Sequence, residues 1–82
     1  MSTQILSHAA IGEALVVQHV QERPEAPSWR PWLEEIGFLP GERVSLLARA
    51  MPGGDPLVVR VGHSTFALRC AEAACIAVAP AA

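Results

Sequence analysis

The twelve residues from Leu33 to Val44 constrain the fold of this chain most, because they predict the end of a helix, a turn and the start of a strand. Gly37 follows the apolar positions of the helix and is expected to end it, since glycine adopts positive φ at little cost. Pro40 and Gly41 suit the second and third positions of a type II turn. Val44 then begins a period-two alternation. The chain is therefore predicted to pass from helix to sheet within one short turn.

Before that turn, apolar residues spaced at i, i+3, i+4 and i+7 predict a short amphipathic helix. Its apolar stripe consists of Trp29, Trp32, Leu33 and Ile36. Ser28 precedes the stripe and is the expected N-cap residue. The two indoles allow two interpretations: they pack as core, or one of them stays partly exposed as an anchor for a protein partner.

Alternating apolar residues predict strands on both sides of the helix. Strands are expected over residues 14–20, 43–50, 57–61, 65–69 and 76–78, a helical turn over 70–74, proline-rich connections over 22–28 and 51–56, and frayed ends over 1–4 and 80–82. Closing such short strands into a barrel removes exposed edges. The predicted fold is mainly β, a small SH3-like barrel of five to six antiparallel strands with one short α-helix between the first and second strands. Residues 1–82 are expected to form a single domain.

Composition excludes several classes of function. The chain has no lysine, so a P-loop and a Schiff-base enzyme are both excluded. Its six arginines are scattered among eight acidic residues, which argues against a nucleic-acid partner. No apolar run approaches the ~18 residues of a transmembrane helix, and no signal peptide is expected. The predicted location is the cytoplasm, without direct membrane insertion.

The sequence contains no recognisable catalytic centre. No Gly-x-Ser-x-Gly elbow is present, and the adjacent Glu34 and Glu35 point about 100° apart around the helix. A proline-rich ligand of the SH3 type is not supported either, because the chain has no tyrosine. These observations predict a non-enzymatic interaction module.

Metal-ligating residues are few and dispersed. Cys70 and Cys75 do not match a zinc-knuckle spacing and are expected to be free thiols. His19 with Glu22, and His63 with Asp55, are the candidate pairs for a weak divalent site for Fe²⁺ or Zn²⁺. Each pair supplies only part of a coordination sphere, so solvated histidines are the alternative interpretation. No cofactor is expected to be required.

Three motifs resemble the FeoA family, the small cytoplasmic partners of bacterial ferrous-iron transporters. Residues 33–41 are similar to the family signature Leu-x-x-Leu/Ile-Gly-φ-x-Pro-Gly, where φ here denotes an apolar residue. Residues 54–62 resemble its hairpin, and residues 66–78 its Ala-Leu-Arg…Glu-Ala…Ile-x-Val ending. The resemblance extends over roughly residues 5 to 79. Trp32 departs from it, because the family tends to have a basic residue there.

The resemblance implies the fold, the partner and the residue roles. The positions implied to make the fold include Leu57, Glu72 and the motif residues Pro40, Gly41, Gly62, Leu68 and Arg69. The implied partner is the cytoplasmic domain of the GTP-hydrolysing FeoB permease, whose Fe²⁺ uptake the protein would promote or regulate. We expect the contact surface on Trp29, Trp32, Leu33, Glu35, Ile36, Gly37 and Phe38.

An alternative function is a metal-responsive regulatory domain. The resemblance extends in fold to the SH3-like domain of iron-dependent repressors, which this chain would match while acting in trans. The expected oligomeric state is a monomer or a weak dimer, with a metal bridge between the copies as one arrangement of that dimer.

Overall fold

The computed structural model describes residues 4–81, which form one antiparallel sheet of six strands in the order β1-β6-β2-β3-β4-β5. The elements along the chain are β1 (Gln4–Ile5), a 3₁₀ turn (Leu6–His8), β2 (Leu15–Val20), α1 (Trp29–Glu35), β3 (Arg43–Arg49), β4 (Leu57–Val61), β5 (Ser64–Leu68), α2 (Cys70–Ala73) and β6 (Ile76–Pro80). The predicted mainly-β, SH3-like class is confirmed. The predicted helix is α1, which lies between β2 and β3. It was expected between the first and second strands, but β1 precedes the first strand that the sequence predicts, so the strand numbers are one higher.

The predicted fraying of both ends is wrong for the terminal residues that the structure describes. Gln4 pairs with Val78 as part of β1, and Pro80 pairs with Leu15. The Ala81 N–H also donates to the Ala14 carbonyl at 3.0 Å. A two-residue strand is too short to show a period, so only its pairing with β6 defines it. Residues 1–3 and 82 lie outside the described residues.

The core fills the concave side of the sheet. Leu57, Val59 and Val61 of β4 are buried while Arg60 is exposed, as the alternation predicts. In β2 and β3 the alternation holds up to the register shift, β5 buries only Leu68, and the first three residues of β6 are all buried. The buried cluster further includes Leu6, Leu33 and Phe38. Leucine and valine dominate this core, since the chain has few aromatic residues.

The end of α1 follows the predicted glycine stop. Gly37 has φ +127°, its N–H donates to the Glu34 carbonyl at 3.2 Å, and the Phe38 N–H donates to the Leu33 carbonyl at 3.0 Å. These two bonds form a Schellman motif, which satisfies carbonyls at the helix end. The motif turns the chain back so that Phe38 enters the core.

The type II turn is also confirmed. Gly41 has φ +92°, and the Glu42 N–H donates to the Leu39 carbonyl at 3.0 Å across the turn. The turn is bound to β2 as well, because Gly41 donates to the Val17 carbonyl and Val17 donates to the Glu42 carbonyl, both at 2.9 Å. The turn therefore fixes how β3 leaves α1.

The predicted role of Ser28 as a capping side chain is wrong. Ser28 has φ −82° and ψ −13°, and its side chain makes no capping hydrogen bond. A capping residue needs an extended backbone to bring its hydroxyl over the first turn. The chain already turns before Ser28, where the Trp29 N–H donates to the Ala26 carbonyl at 3.1 Å.

The strand pairs differ in regularity. Register shifts interrupt β2–β6 between Val17 and His19, and β3–β4 between Leu46 and Ala48, whereas β4–β5 pairs without interruption. Bulges bend and twist strands, so the shifts curve the sheet around its core.

Within residues 4–81 no helix has the length and apolar composition that crossing a bilayer requires.

Candidate interaction surface

The structure separates the two tryptophans of α1. Trp29 is partly buried against the core, whereas Trp32 keeps 38% of its surface exposed. Leu39, in the turn after the helix, is 46% exposed. Of the two interpretations of the indoles, core packing therefore fits Trp29, and an exposed apolar anchor fits Trp32.

The remaining residues of the predicted partner surface lie at different depths. Leu33 and Phe38 are fully buried, Ile36 and Gly37 are partly buried, and Glu35 is exposed. Only exposed atoms can contact a partner without unfolding the domain. The predicted surface is thus reduced to Trp32, Glu35 and the exposed parts of their neighbours, with Leu33 and Phe38 beneath them as a fixed support.

An open surface groove lies beside Trp32. It is lined by Trp32, Asp55, Pro56, Ala67, Arg69 and Glu72. This groove was not predictable from the sequence, because its lining comes from four separate segments: α1, the loop before β4, the end of β5 and α2. Leu39 was also missed; an apolar residue beside a Pro-Gly turn was its only signal in the sequence.

Two carboxylates of the groove are engaged at the start of α2. Asp55 Oδ1 accepts a hydrogen bond from the Cys70 N–H at 2.9 Å, and Glu72 Oε1 accepts one from the Arg69 N–H at 2.8 Å. The Cys70 thiol also donates to the Gly54 carbonyl at 3.5 Å. These bonds attach the β3–β4 loop to α2 and satisfy backbone donors at the helix start.

The structure does not bring the candidate metal pairs into complete sites. Asp55 and His63 lie at opposite ends of β4, whose five residues extend over about 13 Å. His19 and Glu22 are both exposed, and Glu22 also lies 3.9 Å from Arg30 Nη1 in a surface ion pair. Across residues 4–81 no three or more His, Cys, Asp or Glu side chains are grouped to hold a metal ion. The two pairs remain predictions.

The two cysteines are free thiols in different settings. Cys75 is fully buried, and this burial raises the pKa of its thiol, although nearby Arg23 opposes the shift. Cys70 is partly buried; burial, followed by the neighbouring Asp55 carboxylate, raises its pKa as well. A raised thiol pKa leaves less thiolate, which is the reactive form.

We expect Cys75 to react with iodoacetamide at pH 8 at least tenfold more slowly in the folded protein than in the urea-unfolded chain, when measured by mass spectrometry in a Cys70→Ser background. Burial places the pKa of the Cys75 thiol in the folded protein above its unfolded value near 8.5. The contribution of this thiol to the free energy of unfolding is therefore fully present below about pH 8.5 and falls as the pH rises above that value. A Cys75→Ala variant should show a smaller decline. Equal rates in folded and unfolded protein would contradict the burial of this thiol.

Comparison with known proteins gives a consistent result. Residues 5–80 match the model of the FeoA domain family. The zinc-complexed FeoA of Stenotrophomonas maltophilia, described as a procaryotic SH3 domain protein possibly acting as a ferrous iron transport activating factor, is 37% identical, with 93% of this chain and 89% of that chain covered and a TM-score of 0.84. Iron(II) transport protein A of Clostridium thermocellum is 30% identical over 94% of this chain and 45% of that one, with a TM-score of 0.79.

A more distant similarity concerns the fold alone. A manganese-dependent transcriptional repressor is 22% identical over 96% of this chain and 42% of the repressor, with a TM-score of 0.79. A comparison with curated protein sequences gave no match.

Proposed function

This chain belongs to the FeoA family, whose members serve ferrous-iron transport, and we propose that it acts by binding the cytoplasmic, GTP-hydrolysing part of the FeoB permease. In this role it acts on the cytoplasmic side of the permease, where it promotes or regulates Fe²⁺ uptake without catalysing a reaction itself. The observation that carries the proposal is the exposure of Trp32 on a helix that Leu33 and Trp29 pack against the core.

An exposed tryptophan on a rigid support is suited to binding a protein. Indole side chains bury a large apolar area while losing little conformational freedom, and they are enriched among the residues that dominate interface energies. Leu33 and Phe38 hold this part of α1 against the core, so Trp32 is presented in a fixed position. Leu39 adds apolar surface at the end of the same segment.

We expect Trp32→Ala to weaken binding to the cytoplasmic domain of FeoB roughly tenfold or more, the loss typical of a truncated aromatic anchor. Calorimetry measures the affinity, and an amide NMR titration of the labelled protein, with and without Fe²⁺, locates the surface on residues 28–41. Met51→Ala is the matched control, because Met51 is 88% exposed but lies in the β3–β4 loop.

The outcomes separate the partner from the surface. Normal folding of Trp32→Ala with unchanged affinity would show that the surface lies elsewhere. Absence of binding by the unchanged protein, with and without Fe²⁺, would reject the permease as partner.

The second candidate function is a metal-responsive regulatory module. It is favoured by the fold shared with a manganese-dependent repressor and by the zinc complex of the Stenotrophomonas maltophilia relative. Stoichiometric, tight binding of Fe²⁺ or Zn²⁺ by the isolated protein would support it, and loss of that binding in His19→Ala or His63→Ala would identify the ligand pair. Binding accompanied by dimerisation would indicate a metal bridge between copies.

A further inference from the structure

Two arginines on the outer face of the sheet form no ion pair with any residue of the described chain. They are Arg43 and Arg60, and both are exposed. The strands β3, β4 and β5 contain three arginines and no aspartate or glutamate. The third, Arg49, is half-buried and donates to the Ser7 and Ala9 carbonyls at 2.9 and 3.1 Å, so it attaches the lead-in segment to the sheet. The charges of the other two are open to a ligand.

The pairing of β3 with β4 brings these two arginines together, although they are far apart in the sequence. Ser45 lies directly opposite Arg60, and Arg43 lies two residues before Ser45 on the same face. Arg43 and Arg60 are thus diagonal neighbours, whose Cβ atoms are typically about 7 Å apart and whose long side chains reach one another. Arg60 Nε donates to the Gly62 carbonyl at 3.3 Å, a bond that uses only one of the three guanidinium nitrogens.

The two arginines and Ser45 line an open groove of about 320 Å³. Its other walls are glycine, alanine, leucine and valine residues from the segment leading into β2, from β3 and from the end of β4. None of the described residues that line it is acidic or aromatic. This volume is at the lower end of the range of small-molecule sites, about 300 to 1,000 Å³. The groove therefore suits a small anionic group and has no ring on which a nucleobase could stack.

Two glutamates lie near the groove without lining it. Glu13 stands between two lining residues, but its Oε1 accepts a hydrogen bond from the Ala10 N–H at 3.2 Å and its Oε2 accepts one from Gln4 Nε2 at 3.3 Å. Glu42 Oε1 lies 3.6 Å from the position that a Cβ on Gly62 would occupy, and it pairs with neither arginine within residues 4–81. Two guanidinium groups thus face one carboxylate at one end, and the charge of the groove stays positive.

We propose that this groove binds a phosphate group, as inorganic phosphate or as the terminal group of a small phosphate ester. Arg43 and Arg60 hold the anion from two sides, and the Ser45 hydroxyl donates to it. Guanidinium groups present paired N–H donors that match phosphate oxygens. A phosphate group carries a charge of about −1.5 to −2 at pH 7, so it balances both arginines, whereas a carboxylate balances only one. The site shares no residue with the surface around Trp32 and does not depend on the permease.

An NMR titration of the isotope-labelled full chain tests this proposal, with sodium phosphate, glycerol 3-phosphate and sodium acetate as probes at constant ionic strength. Both phosphates should shift the amides of residues 43–45 and 60–62 and the Nε–H signals of the two arginines, and the shifts should saturate. Acetate should bind at least tenfold more weakly, because it carries a single charge. Tighter binding of the ester would identify an ester as the ligand, and equal affinities would show that the phosphate group alone is recognised.

Arginine variants separate a defined site from general ionic attraction. Arg43→Gln and Arg60→Gln each remove one charge from the groove and should weaken phosphate binding at least tenfold. Arg30→Gln is the matched control, because it removes the same charge from an exposed arginine on α1, outside the groove, and should leave the affinity unchanged. Ser45→Ala should weaken binding about threefold or more, through loss of one hydrogen bond to the anion. Thermal unfolding confirms that each variant is folded.

Four results would overturn the proposal. They are shifts that never saturate, shifts centred outside residues 43–45 and 60–62, acetate binding as tight as that of phosphate, and equal losses in all three arginine variants. If a glutamine variant does not fold, Arg43→Lys and Arg60→Lys give the decision. Lysine keeps the charge but lacks the paired donors, so phosphate binding should still weaken, and unchanged binding in both folded lysine variants would contradict recognition by guanidinium groups.

Discussion

Phe38→Ala is expected to lower the free energy of unfolding by about 3 to 5 kcal/mol, the cost of deleting a fully buried aromatic ring. Phe38 is completely buried, and its ring centroid lies 6.3 Å from that of Phe66 in a tilted arrangement. The deletion removes apolar burial and this aromatic contact, and it leaves a cavity beneath α1. A domain of this length has a total stability of about 4 to 12 kcal/mol, so the loss is about a quarter of that total or more.

Urea unfolding followed by circular dichroism measures this loss. Leu39→Ala is the matched control, because the next residue is 46% exposed and its truncation should change stability by less than about 1 kcal/mol. Phe38→Leu should lie between the two, since it retains an apolar side chain of smaller size. If Phe38→Ala and Leu39→Ala cost the same, the burial of Phe38 is incorrect.

Gly41→Val is expected to cost about 1 to 3 kcal/mol, which for a domain of this size corresponds to a fall of roughly 5 to 20 °C in the unfolding temperature. Gly41 has φ +92°, a conformation that a β-branched residue strongly disfavours. No atom lies within 4 Å of the position that a Cβ would occupy, so the cost is conformational rather than steric contact with neighbours. Relief of the strain would disturb the hydrogen bonds that join this turn to β2.

The conservative control for this position is Gly41→Asn. Asparagine carries a side chain of comparable size but adopts positive φ more readily, so it should recover much of the loss. Calorimetric unfolding of the three proteins gives the comparison. Equal unfolding temperatures for valine and glycine would contradict the type II turn.

Elements with a local cause were predictable from the sequence. The turn at Pro40 and Gly41 and the helix stop at Gly37 depend on the φ angles that single residues permit. The alternation over Leu57 to Val61 depends on the two-residue period of a strand. Each signal lies within a few neighbouring residues, and the structure confirms each of them.

Features that depend on distant segments were not predictable. β1 exists because Gln4 and Ile5 pair with β6, more than seventy residues later in the chain. The failure of Ser28 as a cap results from the path of the preceding loop. Similarly, the spacing of Trp29 and Trp32 places both on one helix face, but only the position of α1 on the barrel determines which of them is buried.

The sequence by itself determined the class of fold, the helix, its glycine stop and the strands with buried alternate residues. These features depend on backbone preferences and periodicity, which involve only residues close together in the chain. Its motifs also predicted the FeoA family, which the match of residues 5–80 to the family model confirms. Only the tertiary structure decided that Leu33 and Phe38 are internal, that Trp32 is exposed, and that β5 lies at one edge of the sheet. Exposure and edge position depend on which segments meet in space, and the long-range packing of the barrel sets those contacts.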